Sequence, residues 1–224
     1  MNSSTIAFLV LPLLPLAANA ADATLPVERA DIPVGSTFTY QRVDDPGTAK
    51  QQVNGEQVVT ITGESANGYA ATIKQPPGYS SAPPESLSLD LSWKRTVDGQ
   101  PADTRWLSFP LEAGKSWSSA GKDLWVSPQG YHGNDDITYK VVGVEDVTVP
   151  AGTFKAVRVH GQGWWNITQG PKVSGQAVID IWYSPDVRNI VRVEYTHVRT
   201  FNTGRWAFEL TAYKLSKDAA AAGK

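Results

Sequence analysis

Cysteine is absent from all 224 residues, so neither a disulfide framework nor thiolate chemistry is open to the chain. Histidine is scarce. His132, His160 and His197 are the only three, and no pair of them has metal-ligand spacing. Neither sign of charge dominates: twenty basic and twenty-two acidic residues give a net charge of −2. With the signs interspersed there is no field to gather a polyanion, which argues against a nucleic-acid partner. Helical stripes of useful length are missing, and nothing after residue 20 resembles a membrane span. No glycine-rich phosphate or dinucleotide loop, no G-x-S-x-G elbow and no helix-borne S-x-x-K occurs. No metal or cofactor is expected from this inventory.

What is present begins with an uncharged lead. Residues 1–20 carry no charged side chain, run apolar from Ile6 to Ala18 with breaks at Pro12 and Pro15, and close on Ala18-Asn19-Ala20. Small residues at the first and third places of that triplet fit a signal peptidase site before Ala21, although a basic n-region is lacking. The alternative, an N-terminal anchor, fits less well because the run is short and broken by proline. Without a cysteine at the cleavage point, a lipid-anchored form is excluded. The expected organisation is a signal peptide over 1–20, a single β domain over 21–216 and a frayed tail over 217–224. The expected location is periplasmic or secreted, with no transmembrane anchor.

From Gly35 onward the pattern is strands and turns. Phe38 and Tyr40 share one face of a first strand, and Gln57–Gly63 and Tyr69–Lys74 are joined through Asn67-Gly68, a strong hairpin signal. Leu87, Leu89, Leu91 and Trp93 alternate strictly with Ser88, Asp90 and Ser92, which predicts a half-buried strand. A further strand is predicted over Arg105–Leu111. In the second half Ile137–Val149 is broken by Gly143, where a bulge or bend is expected. Pro150-Ala151-Gly152 turns into Phe154–His160, residues 161–175 read as an irregular hairpin tip, and Gln176–Tyr183, Ile190–Val198 and Trp206–Leu215 follow. The expectation is an all-β fold, a strongly curved antiparallel sheet or incomplete β-barrel of about ten strands, because a sheet this wide tends to curl or split.

Three segments in order carry a resemblance: Phe109-Pro-Leu-Glu-Ala-Gly-Lys-Ser-Trp117, Val147-Thr-Val-Pro-Ala-Gly-Thr-Phe154, and Ile181-Trp-Tyr-Ser-Pro-Asp-Val-Arg-Asn-Ile-Val191 leading into a last strand with Glu209-Leu210. Together they resemble the DUF3108 and TapB-like group of periplasmic or secreted β domains. The resemblance implies a curved antiparallel sheet and an envelope location. It implies no reaction. By looser analogy it points to the half-barrel carriers of lipoproteins.

Candidate site residues come from the aromatics and from polar breaks in apolar strands. Of eight tryptophans, Trp125, Trp164 and Trp165 lie in or near glycine-rich connections, where they serve either to cap the open end of the sheet or to contact a ligand. Asp180 interrupts Val178-Ile179-Asp180-Ile181-Trp182, so it either pairs with Arg158 or Arg192 or touches a ligand. His197 continues the period-two stripe of Val191, Val193 and Tyr195 as a hydrogen-bonded rim or cavity residue. Asp44/Asp45 and Asp135/Asp136 read as turn caps. No catalytic residue is assigned. Two functions fit: an exported envelope-associated binding or structural module holding an apolar or amphipathic ligand on the concave face, or a hydrolase of a cell-envelope or polysaccharide substrate with a dispersed carboxylate or serine site. Partners compatible with the first are an apolar or amphipathic small molecule, a glycan or an envelope protein.

Overall fold

The computed structural model describes residues 24–45, 47, 53–77, 86–97, 100–119, 125–126, 130–199 and 203–217. The predicted signal peptide and nearly all of the predicted tail lie outside these residues. The strands are β1 (Thr37–Asp45), β2 (Val53–Ser65), β3 (Gly68–Lys74), β4 (Ser86–Leu87), β5 (Trp93–Val97), β6 (Gln100–Asp103), β7 (Ser116–Ser119), β8 (Trp125–Val126), β9 (His132–Val149), β10 (Gly152–Gln169), β11 (Ser174–Ser184), β12 (Asn189–Val198) and β13 (Thr203–Lys214).

All thirteen belong to one sheet in the order β6-β5-β4-β3-β2-β1-β13-β12-β11-β10-β9-β7, with β8 also on β9. Each ladder is antiparallel. Among the described residues the end strands β6 and β7, each four residues long, do not pair with each other, so the sheet is open. This corrects the expected strongly curved sheet or incomplete β-barrel of about ten strands. That expectation assumed that only the sheet itself could cover its apolar stripes. Instead two irregular segments cross the face. In residues 24–36, Ile32 is buried and its N–H lies 3.3 Å from the Tyr69 hydroxyl, while Val27 forms an isolated bridge with Leu111. In residues 104–115, Trp106, Leu107 and Leu111 are buried, and Phe109 packs edge-on against Tyr183.

The same segment overturns two predicted strands. Arg105–Leu111 is the covering segment, with Arg105 at φ 46 and no strand pairing beyond the bridge at Leu111. The alternating run 87–93 is mostly a turn. Only Leu87 and Trp93 pair, and Leu91 takes a left-handed φ of 60. Ser88 and Ser92, expected on a solvent face, are buried. Ser92 N donates to Ser88 Oγ at 3.1 Å, and Ser92 Oγ accepts from Trp106 N at 2.7 Å. The serine hydroxyls satisfy main-chain groups that would otherwise be orphaned, so period two here reflects a packed turn.

The second half follows the sequence more closely. The β9–β10 hairpin turns at Pro150-Ala151, with Gly152 at φ 139. The register slips at Val142, beside the glycine where a bulge was expected. Beyond the reach of β11 the hairpin continues as an arm. Its tip meets β13, where Ala151 N donates to Leu210 O at 3.0 Å and Phe154 packs edge-on against Tyr213. Under the arm the β11–β12 turn is closed in, with Ser184, Val187 and Asn189 buried.

Candidate functional site

Period-two alternation divides β10 between two faces. Val157, Val159, Gly161 and Trp165 face the core; Arg158, His160, Gln162 and Trp164 face outward. Residues 161–169, expected as part of an irregular tip, are strand paired with β9 and in part with β11, and the register slips only at Thr168. Trp165 is 3% exposed and Trp164 is 57% exposed. Trp125 lies on β8 opposite Gly133, and its side chain is outside the described residues.

On the core face a row of rings runs inward from Trp165. It meets His197 edge-on at 5.7 Å, and Tyr195 stacks on Trp206 at 5.1 Å. Trp206 stacks on Trp106 at 5.8 Å, and Trp106 lies 5.0 Å from Trp93. Two glycines leave room for side chains on this face. A Cβ on Gly161 would lie 2.7 Å from the Tyr139 ring, and one on Gly175 would lie 2.7 Å from Trp165 Nε1. His197 is held far below the usual imidazole range, at about 4, first by burial and then by Arg199. It is therefore neutral at ordinary pH. The Arg199 guanidinium sits over the Trp165 ring at 4.9 Å.

Arg42 was not singled out from the sequence. It is 2% exposed, with its guanidinium 5.9 Å from the Trp93 ring and 5.4 Å from the Trp206 ring. Nη1 donates to Gln57 Oε1 at 3.2 Å, and Nη2 lies 3.9 Å from Asp44 Oδ2. Burial raises the Asp44 carboxyl above its ordinary range in spite of Arg42. The signal was legible in the run Phe38-Thr-Tyr-Gln-Arg42, where period two places the arginine on the same face as Phe38 and Tyr40. Next to Gln57, between Tyr40, Trp93, Trp106 and Asn189, the core face leaves a partly open pocket of ≈ 20 Å³. That is room for about one water molecule.

Asp180 faces outward. Its Oδ1 accepts from Arg158 Nε at 2.9 Å and contacts His160 Nδ1 at 3.0 Å. Of the pairings considered from the sequence, Arg158 is the one formed. Beside it, Trp182 is buried between two guanidinium groups, Arg158 at 5.6 Å and Arg192 at 5.2 Å, and its indole N–H donates to Glu145 Oε1 at 2.6 Å. Arg192 also pairs with Glu194 and with Glu209. Charged side chains thus take the place of a second layer over this part of the sheet.

Ser118 shares a hydrogen bond with Thr138, and Ser119 Oγ donates to Asp135 O at 2.9 Å, so neither hydroxyl is set against an imidazole. Among the described residues no group of three or more histidine or carboxylate side chains is placed to hold a metal ion, and no helix is long and apolar enough to cross a membrane.

No protein-family model matches the chain, and no curated protein matches it either. Two solved structures are distantly similar. One is a candidate lipoprotein from Parabacteroides distasonis, 14% identical, with a TM-score of 0.46 over 87% of this chain and 100% of that chain. The other is a candidate exported protein with a YmcC-like fold from Bacteroides fragilis, 16% identical, with a TM-score of 0.42 over 84% of this chain and 99% of that chain.

Proposed function

We propose that the protein is an exported, envelope-associated binding module whose working surface is the outward face of the sheet at the end of the β10–β11 hairpin. The observation that carries this reading is the split between two adjacent tryptophans. Trp165 is sunk in the aromatic row, while Trp164 stands 57% exposed on a strand paired on both sides. A large ring left in water on a rigid element supports a contact role better than a packing role. The buried aromatic cluster then acts as the structural keel. The ≈ 20 Å³ pocket beside Gln57 is itself room for a water molecule rather than for an apolar ligand. Export rests on the uncharged leader and its Ala-Asn-Ala ending. Affiliation with the DUF3108 and TapB-like group belongs to this proposal too, and is supported by the three turn motifs alone.

The test is co-sedimentation of the purified mature chain with isolated cell-envelope material. Retention by that material, reduced severalfold by Trp164→Ala, is the expected result. Absence of retention, or retention indifferent to Trp164, would sink the reading. Breakdown of the material by the chain would instead favour the hydrolase.

A further inference from the structure

The surroundings of Trp164 narrow the class of ligand, on the premise of the binding reading above. Across the sheet its neighbours in register are Asp136 on β9 and Gln176 on β11. Along its own strand the outward neighbours are Gln162 and Asn166. One step diagonally lie Thr138 on β9 and the 40% exposed Val178 on β11. Asp136, Gln176, Gln162 and Thr138 are exposed, and Asn166 is half-buried. In the next row charge of both signs gathers at Lys140, His160, Asp180 and Glu194. One indole is therefore ringed by amide, hydroxyl and carboxylate groups spaced about 4.8 Å across the strands and about 6.7 Å along them.

We infer that Trp164 and its outward neighbours form a binding platform for a neutral, hydroxyl-rich glycan chain. A sugar ring presents an apolar C–H face and an equator of hydroxyls. The face can lie on the indole, whose π surface is negative. The equator then meets side chains able to donate and accept: the amides of Gln162 and Gln176, the hydroxyl of Thr138 and the carboxylate of Asp136. Other ligand classes fit less well. Among the described residues a polyanion finds no cation in these rows nearer than Arg205, which lies two strands beyond Val178 and is paired with Asp45. An acyl chain would need a continuous apolar patch, and here the exposed Trp164, Val178 and Val198 are interleaved with Gln162, Gln176 and Thr196. A stable protein partner would need about 800 Å² on this side with an apolar centre. Rigidity favours the reading too. A Cβ on Gly163 would come within 1.9 Å of Asp136 O, so the strands lie close at this point, and buried Trp165 anchors the next position from below.

The experiment titrates cellohexaose, maltohexaose and chitohexaose separately into the intact mature chain and follows the indole N–H resonances. With at least one sugar the Trp164 resonance is expected to move while that of Trp165 stays. Affinity should be unchanged between about 0.1 M and 1 M salt, since no ion pair is made. Trp164→Ala should weaken binding about tenfold, and Gln176→Ala should weaken it severalfold. The inference is overturned if none of the sugars moves the Trp164 resonance, if Trp164→Ala binds as the parent does, or if binding strengthens as salt falls. Retention on envelope material that depends on Trp164 but is not competed by these sugars would overturn the glycan assignment and leave the binding reading standing. Loss of retention altogether would remove both.

Discussion

Ala151 and Leu210 are joined by a main-chain hydrogen bond of 3.0 Å between a hairpin tip and a strand that lies beyond two intervening strands of the sheet. The contact is secured by Phe154, which is buried and packs edge-on against Tyr213 at 6.0 Å. Phe154→Ala should therefore cost about 3–5 kcal/mol, as a buried aromatic does. Tyr213→Ala, at a more exposed ring, should cost clearly less. Urea unfolding of both variants checks the order, and equal small losses would show that the arm is not packed as described.

The tryptophan pair gives a sharper contrast. Trp165→Ala empties a core position and should cost about 3–5 kcal/mol. Trp164→Ala should stay within about 0.5 kcal/mol of the parent, because it removes an exposed ring. Denaturant midpoints at unchanged slope would measure both. If the two variants were equally damaging, Trp164 would be a packing residue and the platform would be lost.

Two arginines in ion pairs should behave differently. Arg42 is enclosed by rings and bonded to Gln57, so Arg42→Ala should cost about 3–5 kcal/mol by leaving buried polar partners unmatched. Arg158 is partly exposed, and its pair with Asp180 is screened by water. Arg158→Ala should cost about 1 kcal/mol or less from the pair itself. Thermal unfolding at low and high salt separates the two, since only the Arg158 contribution should shrink with salt.

His197 makes stability depend on pH. Its folded value of about 4 lies below the 6.5 of a free imidazole. Above about 6.5 both folded and unfolded chains hold it neutral, and its contribution is complete. As pH falls from about 6.5 toward 4, the unfolded chain takes the proton first, so stability is lost through that window and levels off below it. The difference between the parent and His197→Phe, followed by unfolding midpoints from pH 7 downward, should show that loss. A flat difference would mean that the imidazole is not held neutral.

The second half of the fold was legible because local chemistry and tertiary packing agree there. Pro150 and Gly152 specify a turn, and long β-branched runs flank it. The exception there is residues 161–169, expected in an irregular tip, where Gln162, Trp164 and Asn166 alternate with Gly163 and Trp165 in a paired strand. The first half was less legible because long-range contacts decide it. Leu87–Trp93 has the pattern of a strand, but Ser88 and Ser92 bond to main-chain groups within the turn and on Trp106, which no local window contains. The covering role of residues 24–36 and 104–115 has no periodic signature at all. Barrel-like closure was expected because irregular chain is an unobvious roof for a sheet. Among site residues, the acid at 180 advertised itself by breaking an apolar run. Arg42 was passed over because the first strand was read only for its aromatic residues, Phe38 and Tyr40.

A sheet left open at both ends also faces the problem of its own kind. Any terminal strand is a template on which a second molecule can add, and fibrils grow from such templates. Here the two terminal rungs are four residues each, Gln100-Pro-Ala-Asp103 and Ser116-Trp-Ser-Ser119. The first carries a proline, which lacks the N–H a newcomer would need, and the second is mostly serine. Short and poorly matched rungs of this kind hold an incoming strand by few bonds. The longer opening lies on β9, whose residues 142–149 face no described strand on their outer side, so that stretch rather than either terminal rung is where a second molecule would find a template.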